Sequence, residues 1–313
     1  MKKICFILLS LILIFQSSCY LTPEQYEEIK RVATWEVLPY PVFLSIFGNK
    51  TFDQVTSRIG QFSTEPTFLH GEETIKQATP ADYTLTAAPL SFDWRVIYPQ
   101  CFRPARNQGD CGSCYAFSIV VTLEQRICLV SKSKTLIELS PQDIVSCDSK
   151  NDKCQGGTLG DTWRYAENAG VLTEKCYPYV SGNMFVPSCP SKCVFAKDQF
   201  FRFKAIANTY KLISNPELVK IEIVTYGPVS TWLKTFEDFG AYKGGIYEYK
   251  YGRETDPHAV IIVGYGSENG KNYWIVRNSW GALWGENGHF RIITNSINLI
   301  ERNIGVSNAP MIN

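Results

Sequence analysis

The spacing of apolar and polar residues changes along the chain, and the changes divide it. Met1-Lys2-Lys3 precedes a nearly unbroken apolar run from Ile4 to Phe15, which ends in Gln16-Ser17-Ser18-Cys19. A basic start, a short apolar core and small residues behind it predict a secretory signal peptide over 1–19. The run is too short to span a bilayer comfortably. Next come a polar helical stretch, Pro23 to Arg31, short apolar and aromatic pieces from Trp35 to Phe47, and a Thr/Ala/Pro-rich link, Ala78 to Pro89. That link reads as exposed and cleavable. Helical periodicity returns from Ala116 to Val130 and from Asp161 to Gly170. After Phe201 it gives way to strand-like runs broken by Gly and Asn: Gly245–Tyr249, His258–Gly264, Asn272–Val276 and His289–Ile293. A helical half followed by a β-rich half predicts an α+β fold of two lobes with a cleft between them.

Charge excludes two classes of partner. Lys and Arg number 31 against 30 Asp and Glu, so nothing marks a nucleic-acid or anionic-membrane surface. Entry into the oxidising secretory route changes how the 11 cysteines are read. Cys5 and Cys19 belong to the signal or its edge. The other nine are Cys101, Cys111, Cys114, Cys128, Cys147, Cys154, Cys176, Cys189 and Cys193. An odd number leaves one thiol over after four bridges.

Cys114 accounts for the odd thiol. In Gln108-Gly109-Asp110-Cys111-Gly112-Ser113-Cys114-Tyr115-Ala116-Phe117-Ser118 it stands where a small-residue turn becomes a helix. The field of a helix N-terminus favours a thiolate, and the thiolate is the nucleophile. The competing reading of Cys111-Gly112-Ser113-Cys114 is a redox or zinc pair. With only His70, His258 and His289 in the chain, zinc ligation is poorly supplied. A nucleophilic cysteine needs a base. His70 falls in the segment expected to be removed, and His289 sits in a turn entering a strand. His258, at the mouth of the apolar run Ala259–Gly264, is therefore the base candidate.

Three segments together carry a resemblance: Gln108–Ser118; Pro257-His258-Ala259-Val260 with Gly264-Tyr265-Gly266; and Tyr273-Trp274-Ile275-Val276-Arg277-Asn278-Ser279-Trp280-Gly281. They resemble the papain-like cysteine peptidases, whose cysteine is followed by Trp or Tyr, with His and Asn far downstream. Leu139-Ser140-Pro141-Gln142-Asp143 and Cys154-Gln155-Gly156-Gly157 extend the likeness from Ser91 to the end. The resemblance implies a two-lobed fold with a helical left lobe and a β-barrel-like right lobe. It implies Cys114 as nucleophile paired with His258, Asn278 orienting the imidazole, and Gln108 with the Cys114 N–H as oxyanion hole. Trp280 would cover the His–Asn contact and Trp284 would lie on the leaving-group side. Gly156 and Gly157 would let a substrate strand approach.

Within the family the chain is most similar to the cathepsin B branch, through Phe92-Asp93-Trp94-Arg95 and the cysteine spacing. That likeness implies the pairs Cys101–Cys128, Cys111–Cys154, Cys147–Cys189 and Cys176–Cys193, which spacing alone could not choose. It also implies a short pro-segment over 20–88, acting as the enzyme's own inhibitor, before a peptidase domain over 89–313. Three departures matter. Tyr177–Ser188 is short and lacks histidine, so the occluding loop of that branch is expected to be missing and the cleft open, favouring an endopeptidase. Tyr115 replaces the usual tryptophan, as in dipeptidyl peptidase I, which keeps an exopeptidase alternative in view. Asn303 falls where an acid accepts arginine at the second substrate position, so apolar residues are expected there. Asn49-Lys50-Thr51 is an N-glycan acceptor. No metal or organic cofactor is implied. Expected partners are protein and peptide substrates and cystatin-type inhibitors, with a monomer as the default, in a lysosome-like compartment or outside the cell. The rival class, a non-catalytic peptidase-like binding protein, would ordinarily have lost the nucleophile.

Overall fold

The computed structural model describes residues 20–48, 50–59, 75–195, 197–302 and 304–310. The expected signal peptide, Asn49, His70 and Asn303 lie outside the described residues.

The chain begins with α1 (Pro23–Val32), whose start is fixed by a reciprocal cap between Thr22 and Gln25 and by Pro at its first turn. β1 (Glu36–Val37), α2 (Tyr40–Phe47), α3 (Phe52–Ile59) and β2 (Lys76–Gln77) complete the segment. β3 (Phe92–Asp93) and the short α4 (Trp94–Ile97) open the main body.

The first lobe is built on α5 (Cys114–Val130), with α6 (Pro141–Cys147) and α7 (Leu159–Asn168) packed on it. Every α5 residue from Cys114 to Cys128 is buried. A helix buried on all sides belongs between layers, and α5 lies between its sister helices and the sheet of the second lobe. Four disulfides staple this lobe: Cys101–Cys128, Cys111–Cys154, Cys147–Cys189 and Cys176–Cys193.

The second lobe contains β4 (Lys211–Ile213), α8 (Pro216–Tyr226), β5 (Val229–Leu233), β6 (Tyr242–Gly244), β7 (Ile246–Tyr247), β8 (His258–Glu268), β9 (Lys271–Arg277), β10 (His289–Ile293) and β11 (Ile304–Val306). One sheet runs β2-β4-β11-β5-β8-β9-β10-β7, with β3 also on β8. The expected barrel is not closed: the path ends at β2 on one side and β7 on the other. α8 also interrupts a half read as strands. Its signal was local, since Asn215 accepts from Glu217 N and Leu218 N just ahead of Pro216.

The N-terminal segment leans on this lobe in two places. β1 pairs antiparallel with β6, and β2 adds parallel to β4. The link after it is mostly exposed, as expected, yet Tyr83 is buried and donates to Glu222 Oε2 at 2.8 Å. Glu222 also takes Arg126 Nη2 and Lys211 Nζ, each at 2.8 Å. This buried cluster ties α5, α8, β4 and the link together.

Candidate active site

α5 begins at Cys114, which fixes where the thiol points. The sulfur accepts from the backbone N–H of Ala259 at 3.5 Å, which places it against the first residues of β8. His258 opens that strand. β8 and β9 pair antiparallel, so Asn278, just past the end of β9, comes back beside His258. The imidazole Nε2 is 2.7 Å from Asn278 Oδ1. That oxygen also accepts from Ser279 N at 2.7 Å, which orients the amide. Facing an acceptor, Nε2 carries the proton and Nδ1 is the basic nitrogen. Nδ1 is buried and makes no hydrogen bond. The Trp280 indole stacks on the imidazole with centroids 4.9 Å apart.

Gln108 is fully buried and held at every polar group. Its N–H donates to Ser279 O at 2.9 Å and its carbonyl accepts from Tyr179 OH at 2.7 Å. Ser279 Oγ donates to its Oε1 at 2.5 Å, and its Nε2 donates to Cys111 O at 2.9 Å. The sequence reading missed both tethers. Ser279 was visible inside the Asn-Ser-Trp motif, but nothing local links Tyr179 to Gln108, 71 residues away.

The other expected positions are near at hand. Gly112 N donates to Cys154 O at 2.8 Å, bringing the Gly156-Gly157 turn beside the nucleophile loop. Gly156 has φ of 127°, a left-handed value suited to glycine. A Cβ on Gly157 would stand 2.3 Å from Asn151 Oδ1. Trp284 is fully buried behind Trp280, with centroids 5.1 Å apart, and donates to Gly240 O. Tyr115 is buried too, and its hydroxyl donates to Lys153 O at 2.8 Å.

Burial sets the charge state. It pushes the Cys114 thiol up to about 12, against a smaller opposite pull from the N–H groups of Ala259, Tyr115 and Cys114. It brings His258 down to about 4, against the pull of Asn278. The helix N-terminus helps a thiolate, but desolvation outweighs it, so burial favours the neutral thiol and the neutral imidazole here. The N-terminal segment spans this site. Phe47 meets Trp280 edge-on at 5.7 Å on one wall, and Lys50 pairs with Asp110 on the other. No group of three or more His, Cys, Asp or Glu able to hold a metal occurs among the described residues.

Residues 88–311 match the family described as papain family cysteine protease. The chain belongs to that family. A cathepsin B-like protein of Giardia intestinalis, CP3, is 41% identical over 224 residues, covering 70% of this chain and 75% of the relative. Cathepsin B of Dictyostelium discoideum is 33% identical over 65% of this chain and 70% of its own length. Among solved structures, procathepsin B S9 from Trypanosoma congolense shares the fold with a TM-score of 0.82, covering 94% of this chain and all of the other, at 24% identity. Digestive procathepsin L2 of Tenebrio molitor gives a TM-score of 0.71 at 28% identity, covering 91% of this chain and 88% of that one. The fold is papain-like, the enzyme is a cathepsin B-like cysteine peptidase, and the chain is in the form of a zymogen.

Proposed function

We propose that this peptidase is an endopeptidase of the secretory route, inhibited by its own segment 20–88 and active once residues 89–313 are released. Cys114 is the nucleophile, and the observation that carries this is its place at the start of α5, against β8 where His258 begins and where Nδ1 has no other task. With the pro-segment gone, water and substrate return to the cleft and the desolvation that holds both groups neutral is relieved. The proton then passes from Sγ to Nδ1, giving the thiolate–imidazolium pair. The thiolate attacks the scissile carbonyl carbon. The oxyanion that forms accepts from the Cys114 N–H and from the second N–H of the Gln108 amide, whose first serves Cys111 O. Nδ1–H then protonates the leaving amine, and the C–N bond breaks to leave a thioester. Water, deprotonated by Nδ1, hydrolyses the thioester and releases the acid. Asn278 keeps Nδ1 aimed at sulfur, and Trp280 shields their hydrogen bond from water. Gly156 and Gly157 offer backbone to the acyl-side strand, and Asn303 supports an apolar second residue on that side.

Open-ended cleavage is favoured by what Tyr177–Ser188 contains. An exopeptidase that trims C-termini needs a cation for the terminal carboxylate. This stretch has neither histidine nor Lys or Arg, and beside it lies the acid Asp110, whose N–H donates to Gly182 O. The test uses acid-activated enzyme and two matched peptides, one blocked at both ends and one with a free C-terminus. Internal cleavage of both, abolished in Cys114→Ala, is expected. Dipeptide release confined to the free-ended peptide would overturn the endopeptidase reading, and cleavage by the Cys114→Ala variant would overturn the nucleophile.

A further inference from the structure

Of the two strand pairings that hold the N-terminal segment to the second lobe, the one on β4 ends in a buried side chain that the mechanism does not use. β2 lies parallel to β4 at the outer edge of the sheet, with Lys76 opposite Lys211 and Gln77 opposite Leu212. Ala78 N extends the pairing, donating to Leu212 O at 2.8 Å. A tight turn follows. Thr79 N and Oγ1 donate to Asp82 Oδ2 at 2.8 and 3.0 Å, Lys76 pairs with Asp82, and Tyr83 N donates to Pro80 O at 3.2 Å. The turn sets the Tyr83 ring in the interior, where it is 8% exposed. From Thr84 to Ala87 the chain is exposed again.

The slot around Tyr83 is made by residues beyond 89. Its floor is Glu222, fully buried, whose Oε2 accepts from the phenol and from Lys211 Nζ, each at 2.8 Å. The Lys211 ammonium also stands over the Tyr83 ring, 4.9 Å from its centroid, and over the Tyr226 ring at 5.2 Å. The two rings tilt against each other with centroids 6.2 Å apart, and Tyr226 is 41% exposed. Release of segment 20–88 takes a donor from Glu222 Oε2 and leaves β4 as the edge of the sheet. A buried acceptor short of a donor and an open strand edge both favour a new partner. Along the sheet this edge is four strand spacings from β8, about 19 Å, so a ligand there leaves the cleft free.

We propose that on the mature enzyme the edge of β4 and the slot beside Tyr226 form a second peptide-binding site, which docks protein substrates through an extended stretch followed by a tyrosine at the spacing of Gln77 to Tyr83. The ligand's chemistry is that of the segment filling the site in the zymogen: main-chain groups for β4, a phenol hydroxyl for Glu222 and an aromatic face for Lys211. Phenylalanine supplies the ring and leaves the carboxylate short of its donor. Phosphotyrosine brings a second anion against Glu222 and is excluded. Both sites are covered by one segment and uncovered together, which couples docking at β4 to cleavage in the cleft. The inference rests on the proposed release of residues 20–88.

The test uses mature enzyme from the full-length zymogen, with Cys114 alkylated so that the probe is not cut. The probe is a fluorescein-labelled peptide of residues 75–85, read by anisotropy. Saturable binding is expected, weakened about tenfold or more by Tyr83→Phe or by phosphate on Tyr83. Binding should also weaken in Tyr226→Ala enzyme and persist in Tyr226→Phe. With active enzyme the peptide should leave hydrolysis of a short coumarin substrate unchanged. The same sequence is then joined to either end of a quenched substrate by a Gly/Ser linker of about 20 residues, which reaches about 25 Å. At one end or the other it should lower KM about tenfold or more with kcat unchanged. No saturable binding at millimolar peptide, or equal binding of the Tyr83→Ala peptide, overturns the inference. So does loss of coumarin hydrolysis in step with binding, which places the peptide in the cleft. Binding with KM unchanged at both ends confines the site to the pro-segment and overturns the substrate role. A mature chain whose mass still includes residues 75–83 overturns the inference and moves the boundary proposed at 88, while coumarin hydrolysis abolished by Cys114→Ala leaves the peptidase reading standing.

Discussion

Two sets of ionisable groups are buried in this zymogen, and they resolve the cost of burial in opposite ways. Glu222 stays charged, its pKa held below the usual carboxylate range by Arg126 and Lys211 against the opposing effect of burial. Cys114 and His258 are buried as deeply, but what opposes desolvation there is backbone N–H groups and one amide, so burial favours the neutral form of each. The first set is a permanent tie between the lobes. The second has its charge withheld while the cleft is covered. On the proposed mechanism, activation is a change of solvation at Cys114 and His258.

The sharpest way to break the comparison is to remove the compensation in the first set. Glu222→Gln strands Arg126 and Lys211 in the interior and should destabilise the fold by about 3–5 kcal/mol, read from denaturant unfolding. A triple replacement by apolar residues of similar volume should recover most of that loss, because no charge is then left unpaired.

Phe47→Ala acts on the second set by removing the ring against Trp280. Truncating a fully buried Phe costs about 3–5 kcal/mol, enough to weaken the hold of the pro-segment by more than a hundredfold. The measurement is inhibition of the mature enzyme by the isolated pro-segment, wild type against variant, with a control melt of the zymogen.

Titration sharpens the comparison further. His258 is held near 4 when folded and returns to its ordinary value near 6.5 when exposed, so between those values the unfolded form binds more protons. Its contribution to zymogen stability is complete above 6.5 and is lost as pH falls toward 4. Asp148 and Asp238 tilt the other way, because burial raises each to about 6. The readout is therefore the difference in stability between wild type and His258→Gln across pH 7 to 4, and a difference that stayed constant would contradict the assignment. The smallest effect expected is that of Tyr115→Phe. Losing the bond to Lys153 O should cost about 1 kcal/mol in thermal or denaturant stability.

The sequence made some of this legible because the signals were local. The helix from Cys114 showed in its periodicity, and the strand at His258 in its apolar run. The papain-like resemblance supplied which distant residues meet, which periodicity could not. What escaped reading depends on long-range contact. Tyr83 anchors to Glu222, 139 residues on, inside a link whose composition said only that it was exposed. Gln108 is braced by Tyr179, and the sheet stays open because its outer strands β2 and β7 find no partner in each other. The burial that raises the Cys114 thiol was also hidden, since the helix field can be read from sequence but the depth of cover over it cannot.

The most direct test of a charge withheld by cover is the pH dependence of Cys114 alkylation by a small neutral reagent such as iodoacetamide, in zymogen and in mature enzyme. The four disulfides leave Cys114 as the reactive thiol of residues 101–193. Mature enzyme should be alkylated rapidly at pH 6, and the zymogen should stay inert from pH 5 to 9, at least a hundredfold slower. A zymogen that alkylates at pH 6 at a rate close to that of the mature enzyme would mean the thiolate already exists beneath the pro-segment, and the account would fail.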